Sequence, residues 1–140
     1  MNPQNQRLWW ERQDLCYQDG TLFFAGKSVT DLIRTTGTPA FFYNGKRMLQ
    51  NIGRLHEALN QLDAHKIFYA IKANRFDPVL TYIKNGAACG VDVCSPSELL
   101  HAFSCGFNCN EISYTANSMT DEELKLLADI ALVGLPNAGK

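Results

Sequence analysis

The chain carries no charge excess of either sign: thirteen lysines and arginines face fourteen acidic residues across 140 positions, a formal charge of −1. That balance argues against a broad electrostatic footprint for nucleic acid or an anionic membrane surface. No apolar run approaches the roughly eighteen residues that a membrane span requires. The opening Met-Asn-Pro-Gln-Asn-Gln-Arg has no apolar stretch of the kind a secretory leader needs, so a cytoplasmic protein is expected. Cysteine is present but unpaired in pattern: the count is five, which is odd, and no C-x-x-C occurs. Without a leader, that argues for reduced thiols rather than a disulfide framework. His101 and Cys105, four residues apart, could supply half of a zinc site, but four ligands are needed. The thiols are better read as small hydrophobes, and no metal is expected.

What the chain does have is material for a core, with 46% apolar and 19% charged residues, so disorder is excluded. Residues 8–24 are β-rich, with aromatic runs on either side of Asp19-Gly20, a strong hairpin signal. Ser28 is placed to cap a short helix carrying Val29, Leu32 and Ile33, stopped by Gly37. Residues 40–43 are a compact apolar strand. Residues 46–62 give the clearest helix, with Met48, Ile52, Leu55, Leu59 and Leu62 at three- and four-residue steps.

A repeating pattern follows. Residues 67–71 form a continuous apolar run, as in a strand buried on both faces. Asp77-Pro78 predicts an N-cap and first helical position, with Gly86 as the stop. Residues 90–94 are a strand, and Ser95-Pro96-Ser97-Glu98 is a capping box before Leu99, Leu100 and Phe103. Residues 111–115 are a strand, Thr120 to Glu123 is a second capping box, and residues 131–133 begin a further strand. Strand–helix alternation with short connections means βα units. Four strands do not close an eight-stranded barrel. The pattern therefore fits either a small open α/β domain or the first part of a barrel, and periodicity does not choose between them.

Lys72 ends the apolar 67–71 run, at the strand edge where α/β folds place their sites. Apolar neighbours would desolvate its amine and favour the neutral nucleophile that chemistry on a carbonyl or pyridoxal phosphate requires. A strand-end lysine that snorkels into solvent fits the same local context. Asp92 stands inside an apolar strand, where a carboxylate needs a partner. Glu98 is explained by its capping box. His56, His65 and His101 carry no visible catalytic partner, and Trp9-Trp10 suits a core or interface.

The segment Phe68-Tyr-Ala-Ile-Lys72-Ala-Asn74 closely resembles the Y-A-[VI]-K-A-N signature of the barrel-type pyridoxal-phosphate decarboxylases. That group contains the diaminopimelate and ornithine decarboxylases, with alanine racemase as a distant relative. Thr38-Pro-Ala-Phe-Phe-Tyr43 is similar to its T-P-x-[FY]-x-Y strand, and Gly90-Val-Asp-Val-Cys-Ser-Pro-Ser-Glu-Leu99 to its G-F-D-V-x-S-x-x-E-L segment. Residues 105–124 resemble the next strand and helix.

The resemblance implies a partial (β/α)8 barrel of the alanine racemase-like type. Its divisions would be a β-rich segment over 1–37, the first part of the barrel over 38–130 and a divergent tail over 131–140. It also implies pyridoxal 5'-phosphate held covalently by Lys72, with Asp92 and Glu98 among the cofactor-binding positions, and decarboxylation of a small amino acid. The substrate would be diaminopimelate-like or ornithine/lysine-like, and the full-length form a homodimer. The family's later histidine, glycine-rich loop, arginine region and C-terminal cysteine do not follow residue 130, so an incomplete N-terminal part is expected. Two other readings stand beside it. Gly134-Leu-Pro-Asn-Ala-Gly139-Lys140 fits G-x-x-x-x-G-K and resembles the phosphate loop of Obg-type GTPases, as the start of a GTP-binding module. Alternatively, the half-barrel is a non-catalytic fragment with a sticky sheet edge.

Overall fold

The structure, a computed structural model, describes residues 9–116 and 118–133. It divides into two compact units, Met1–Arg47 and Met48–Lys140.

In the first unit the Asp-Gly turn closes a hairpin because both central residues take positive φ, Asp19 at 48° and Gly20 at 76°. That backbone twist matches the twist of the flanking strands. The turn joins β1 (Leu15–Gln18) to β2 (Thr21–Phe24), antiparallel with Leu15 opposite Phe24. A second two-residue turn, Ala25-Gly26 at φ 51° and 79°, adds β3 (Lys27–Ser28). Sequence reading misses this strand because alanine rarely adopts positive φ. Ser28 stands at the N-cap of α1 (Val29–Thr36), although its side chain makes no capping hydrogen bond, and Gly37 stops the helix at φ 75°. Residues 40–43, expected as a strand, join no ladder among the described residues, and Phe41 is 87% exposed. Apolar side chains favour a strand, but a strand exists only where a neighbouring edge takes up its backbone hydrogen bonds.

The second unit is a βα repeat. Asn44 Oδ1 accepts from the Arg47 N–H at 3.1 Å to open α2 (Gly45–Leu59). Of the expected apolar stripe, Ile52 is buried and Met48 packs beside it, while Leu55 is exposed and Leu62 lies past the helix end, also exposed. Periodicity marks the apolar face, but the position of the next helix decides which residues on it are covered. Three parallel strands follow: β4 (Phe68–Ala70), β5 (Gly90–Val93) and β6 (Ile112–Tyr114), in that order across the sheet. Between them lie α3 (Asp77–Gly86) and α4 (Pro96–Ser104), and α5 (Asp121–Val133) follows β6. The fold is α/β, with a partial barrel as its second unit.

One face of this sheet makes the core. Val91 and Val93 are fully buried with Ile71, Leu80, Leu99 and Ala102, while Gly90 and Asp92 alternate onto the other face. Val79 and Ile83 of α3 close a second cluster against Ile52 and Cys89. The 67–71 run is thus not buried on both faces: β4 is half-buried, and only Ile71 is fully covered. At the start of α3, Phe76 is the N-cap and Asp77 the first helical residue, one position from the expectation. The Asn74 side chain takes the Phe76 N–H at 3.0 Å. Residues 131–133 belong to α5 rather than to a strand. The capping box at Thr120 makes both of its bonds, 2.9 and 3.2 Å to Glu123, and starts a helix that runs on through the apolar residues expected to extend. The phosphate-loop motif at 134–140 lies outside the described residues.

Candidate functional site

The candidate site is the carboxyl end of β4 and β5. Lys72 lies in a 3-10 turn, Ile71–Ala73, immediately after β4. The turn arises because the backbone leaves the sheet at Ala70 while Ile71 drops into the core. Lys72 itself is exposed, so its apolar neighbours Tyr69 and Ile71 do not enclose the amine as expected. Their side chains turn to the helical side of the sheet.

On the next strand Ala70 pairs with Asp92, and Asp92 pairs with Ser113 on β6. The Asp92 carboxylate accepts a 2.6 Å hydrogen bond from the Thr115 hydroxyl, the partner that a strand carboxylate needs. Thr115 was not singled out in the sequence. The signal was there in Ser113 and Thr115, which stand at period two and alternate with the apolar Ile112 and Tyr114. Below the site, Gly90 leaves room for a ring: a Cβ there would lie 2.8 Å from the Phe68 ring and 2.3 Å from the Glu111 carbonyl.

Glu98 does what its capping box implies, with one displacement. Its N–H donates to Ser95 Oγ at 3.2 Å, but its carboxylate reaches back to the Cys94 N–H at 2.9 Å rather than to Ser95. The same oxygen accepts the Cys94 thiol at 3.2 Å. That hydrogen bond, with slight burial and the negative charges of Glu98 and Asp92, pushes the Cys94 thiol up, while the Lys72 charge pulls the other way. Cys94 thus lies near enough to Lys72, Asp92 and Glu98 for each of their charges to act on its thiol. It is a neighbour of the candidate residues that sequence reasoning passed over.

The remaining candidates fall elsewhere. His56 and His65 bond each other at 3.0 Å, and His56 Nε2 donates to the Ala88 carbonyl at 2.7 Å, a structural tie. Trp10 packs edge-on against Tyr17 at 5.9 Å, while Trp9 is exposed. A groove along α3 is lined by Leu49, Pro78, Thr81 and Tyr82 and includes none of Lys72, Asp92 and Glu98. All five cysteines are free thiols.

An exposed amine at a strand end, with a hydrogen-bonded carboxylate one strand over, is a donor set suited to a carbonyl cofactor. The comparisons point the same way. Residues 49–134 match the family described as pyridoxal-dependent decarboxylase, pyridoxal binding domain. The diaminopimelate decarboxylase of Methanothermobacter thermautotrophicus is 32% identical over 111 residues, which is 79% of this chain and 26% of that protein. That of Aquifex aeolicus is 34% identical over 108 residues, 77% of this chain and 25% of its own. The crystal structure of diaminopimelate decarboxylase from M. jannaschii in complex with L-lysine superposes with a TM-score of 0.74 at 26% identity, covering 84% of this chain and 28% of that one. The chain thus spans about a quarter of the length of the curated relatives it matches. By sequence and by fold, it belongs to the pyridoxal-binding domain family of the pyridoxal-dependent decarboxylases.

Proposed function

We propose that this chain forms the cofactor-bearing part of a pyridoxal-phosphate-dependent amino-acid decarboxylase. The observation that carries the reading is the position of Lys72, just past the end of β4 and two residues beyond Ala70, the ladder partner of Asp92, within a segment shared with the family. Lys72 is the residue that would hold the cofactor covalently. When bound, pyridoxal phosphate supplies the electron sink for loss of a carboxylate as carbon dioxide.

The chain's own residues do the rest. Thr115 fixes one Asp92 oxygen by donating to it, so that a carboxylate of set orientation faces the Lys72 end of the sheet. Ser95 and Glu98 hold the strand-to-helix turn after β5 from both sides, which keeps Cys94 and the end of β5 in register. Glu98 thus acts by positioning. The reading carries with it a small amino-acid substrate, diaminopimelate-like by its relatives, a homodimer in the full-length form, and a cytoplasmic location. Residues 1–37 would form a β-rich segment ahead of the barrel, which begins near residue 38.

The test is direct. The chain is incubated with pyridoxal phosphate, reduced with borohydride and digested, and the modified peptides are mapped. The label is expected at Lys72 and absent from that peptide in Lys72→Ala. Label spread evenly over the surface lysines would remove the basis for the reading. Asp92→Asn and Thr115→Val are expected to lower the extent of labelling at Lys72 while leaving the circular dichroism unchanged.

A further inference from the structure

Outside the group of Lys72, Asp92 and Glu98, three donors of different kinds converge. Asp77, the first residue of α3, His101 in α4, and Cys105, the C-cap of α4, each place one donor atom within 4.8 Å of the other two. His101 and Cys105 meet because four residues along a helix return to the same face. Asp77 comes from the neighbouring helix and completes a set that neither helix holds alone. His101 Nε2 lies 3.4 Å from Asp77 Oδ1. In a tetrahedron with metal–ligand bonds of about 2.0 Å, the nitrogen-to-oxygen edge is about 3.3 Å.

We propose that Asp77, His101 and Cys105 bind a divalent cation of the zinc class, with water at the fourth position. The chemistry of the donors favours this class: one thiolate, one imidazole and one carboxylate suit a borderline-soft ion and suit calcium or magnesium poorly. The charges also close, since a carboxylate and a thiolate neutralise a dication. Exposure is graded through the set, with the Cys105 residue at 8% and the His101 and Asp77 side chains at 27% and 72%. Sulfur is therefore inside and the carboxylate stands at a mouth open to solvent, which gives the ion an entry path.

His101 Nε2 donates to the Arg75 carbonyl at 2.8 Å. On binding, the neutral imidazole moves that proton to Nδ1 and turns the Nε2 lone pair to the metal, and the Cys105 thiol releases one proton to solvent. Burial and the Asp77 charge both hold the Cys105 thiol up, and a bound cation reverses the second effect. The bound ion would tie the first residue of α3, five residues after Lys72, to the end of α4.

The experiment is a cobalt(II) titration of the 140-residue chain, followed by absorbance. A thiolate-to-cobalt charge-transfer band is expected, saturating at one equivalent and displaced by zinc. Cys105→Ala and His101→Gln abolish it, Asp77→Asn weakens the affinity, and Cys94→Ser and Cys109→Ser leave it intact. Zinc also raises the unfolding midpoint of the wild-type chain and not that of His101→Gln. Should Cys105→Ala fail to fold, His101→Gln and the two serine variants decide the matter. Absence of the band, or a band that survives His101→Gln or follows Cys94 or Cys109, overturns the proposal.

Discussion

Two glycines in the second unit separate a steric requirement of the fold from a tolerance. A Cβ built on Gly90 lies 2.3 Å from the Glu111 carbonyl oxygen, 2.8 Å from Phe68 Cδ1 and 2.9 Å from Phe68 Cε1. The nearest of these atoms is backbone at the entry to β6, so relief requires β5 and the residues leading into β6 to move apart. Overpacking of this kind costs about 1–3 kcal/mol and occasionally more. Because no rotamer change can clear the carbonyl, Gly90→Ala is expected at the upper end, about 3 kcal/mol. Gly86 makes the contrast: its added Cβ would meet Leu49 Cδ1 at 2.6 Å, the far end of a flexible side chain. Gly86 is also the last residue of α3, where alanine recovers part of the roughly 1 kcal/mol that glycine gives up in a helix. Gly86→Ala should therefore stay within about 1 kcal/mol of the parent, in either direction. The assay is urea unfolding of the chain and its two variants, read by far-ultraviolet circular dichroism and compared at equal m-value. Equal midpoints for the two variants, or a Gly90→Ala chain as stable as the parent, would refute the close approach of strand and carbonyl.

Two further perturbations follow from the electrostatics. Lys84 Nζ lies 2.6 and 2.7 Å from the two Glu111 oxygens, and the Asn108 N–H donates to Glu111 Oε2 at 2.9 Å. The Lys84 bond and the Asn108 amide hold the Glu111 carboxyl below its ordinary value. Glu111→Gln should then cost about 1–2 kcal/mol at neutral pH, after a discount for partial solvation. A lowered carboxyl stabilises the fold fully above its unfolded value, about 4.3, and loses that contribution as pH falls through the folded value. The gap between parent and variant should hold from pH 7 to about 5 and narrow below that, and a gap that widened on acidification would contradict the assignment. Cys94 is held up first by its hydrogen bond to Glu98. In Glu98→Gln its alkylation by iodoacetamide near pH 8 should quicken relative to Cys109 in the same chain, as quantified by peptide mapping. An unchanged ratio would mean that Glu98 does not govern the thiol.

The amino-acid sequence determined the local chemistry. Asp19-Gly20 specifies its turn because those two residue types tolerate positive φ. Ser95 and Thr120 start their helices because their hydroxyls accept the orphan N–H three residues on. The position of Lys72 after an apolar run, and of Asp92 within the next, was legible because strand alternation and βα punctuation are short-range. Tertiary structure decided everything that depends on a neighbour. Residues 40–43 have strand-like side chains and no ladder, since pairing is settled by another segment's edge. Residues 131–133 are helical because α5, once nucleated at its capping box, runs on through apolar positions that suit a helix as well as a strand. Thr115 becomes the Asp92 partner, and Asp77 joins His101 and Cys105, across separations of twenty-three residues or more. No local pattern encodes such contacts, because they exist only once the sheet has set its register and the helices have packed against it.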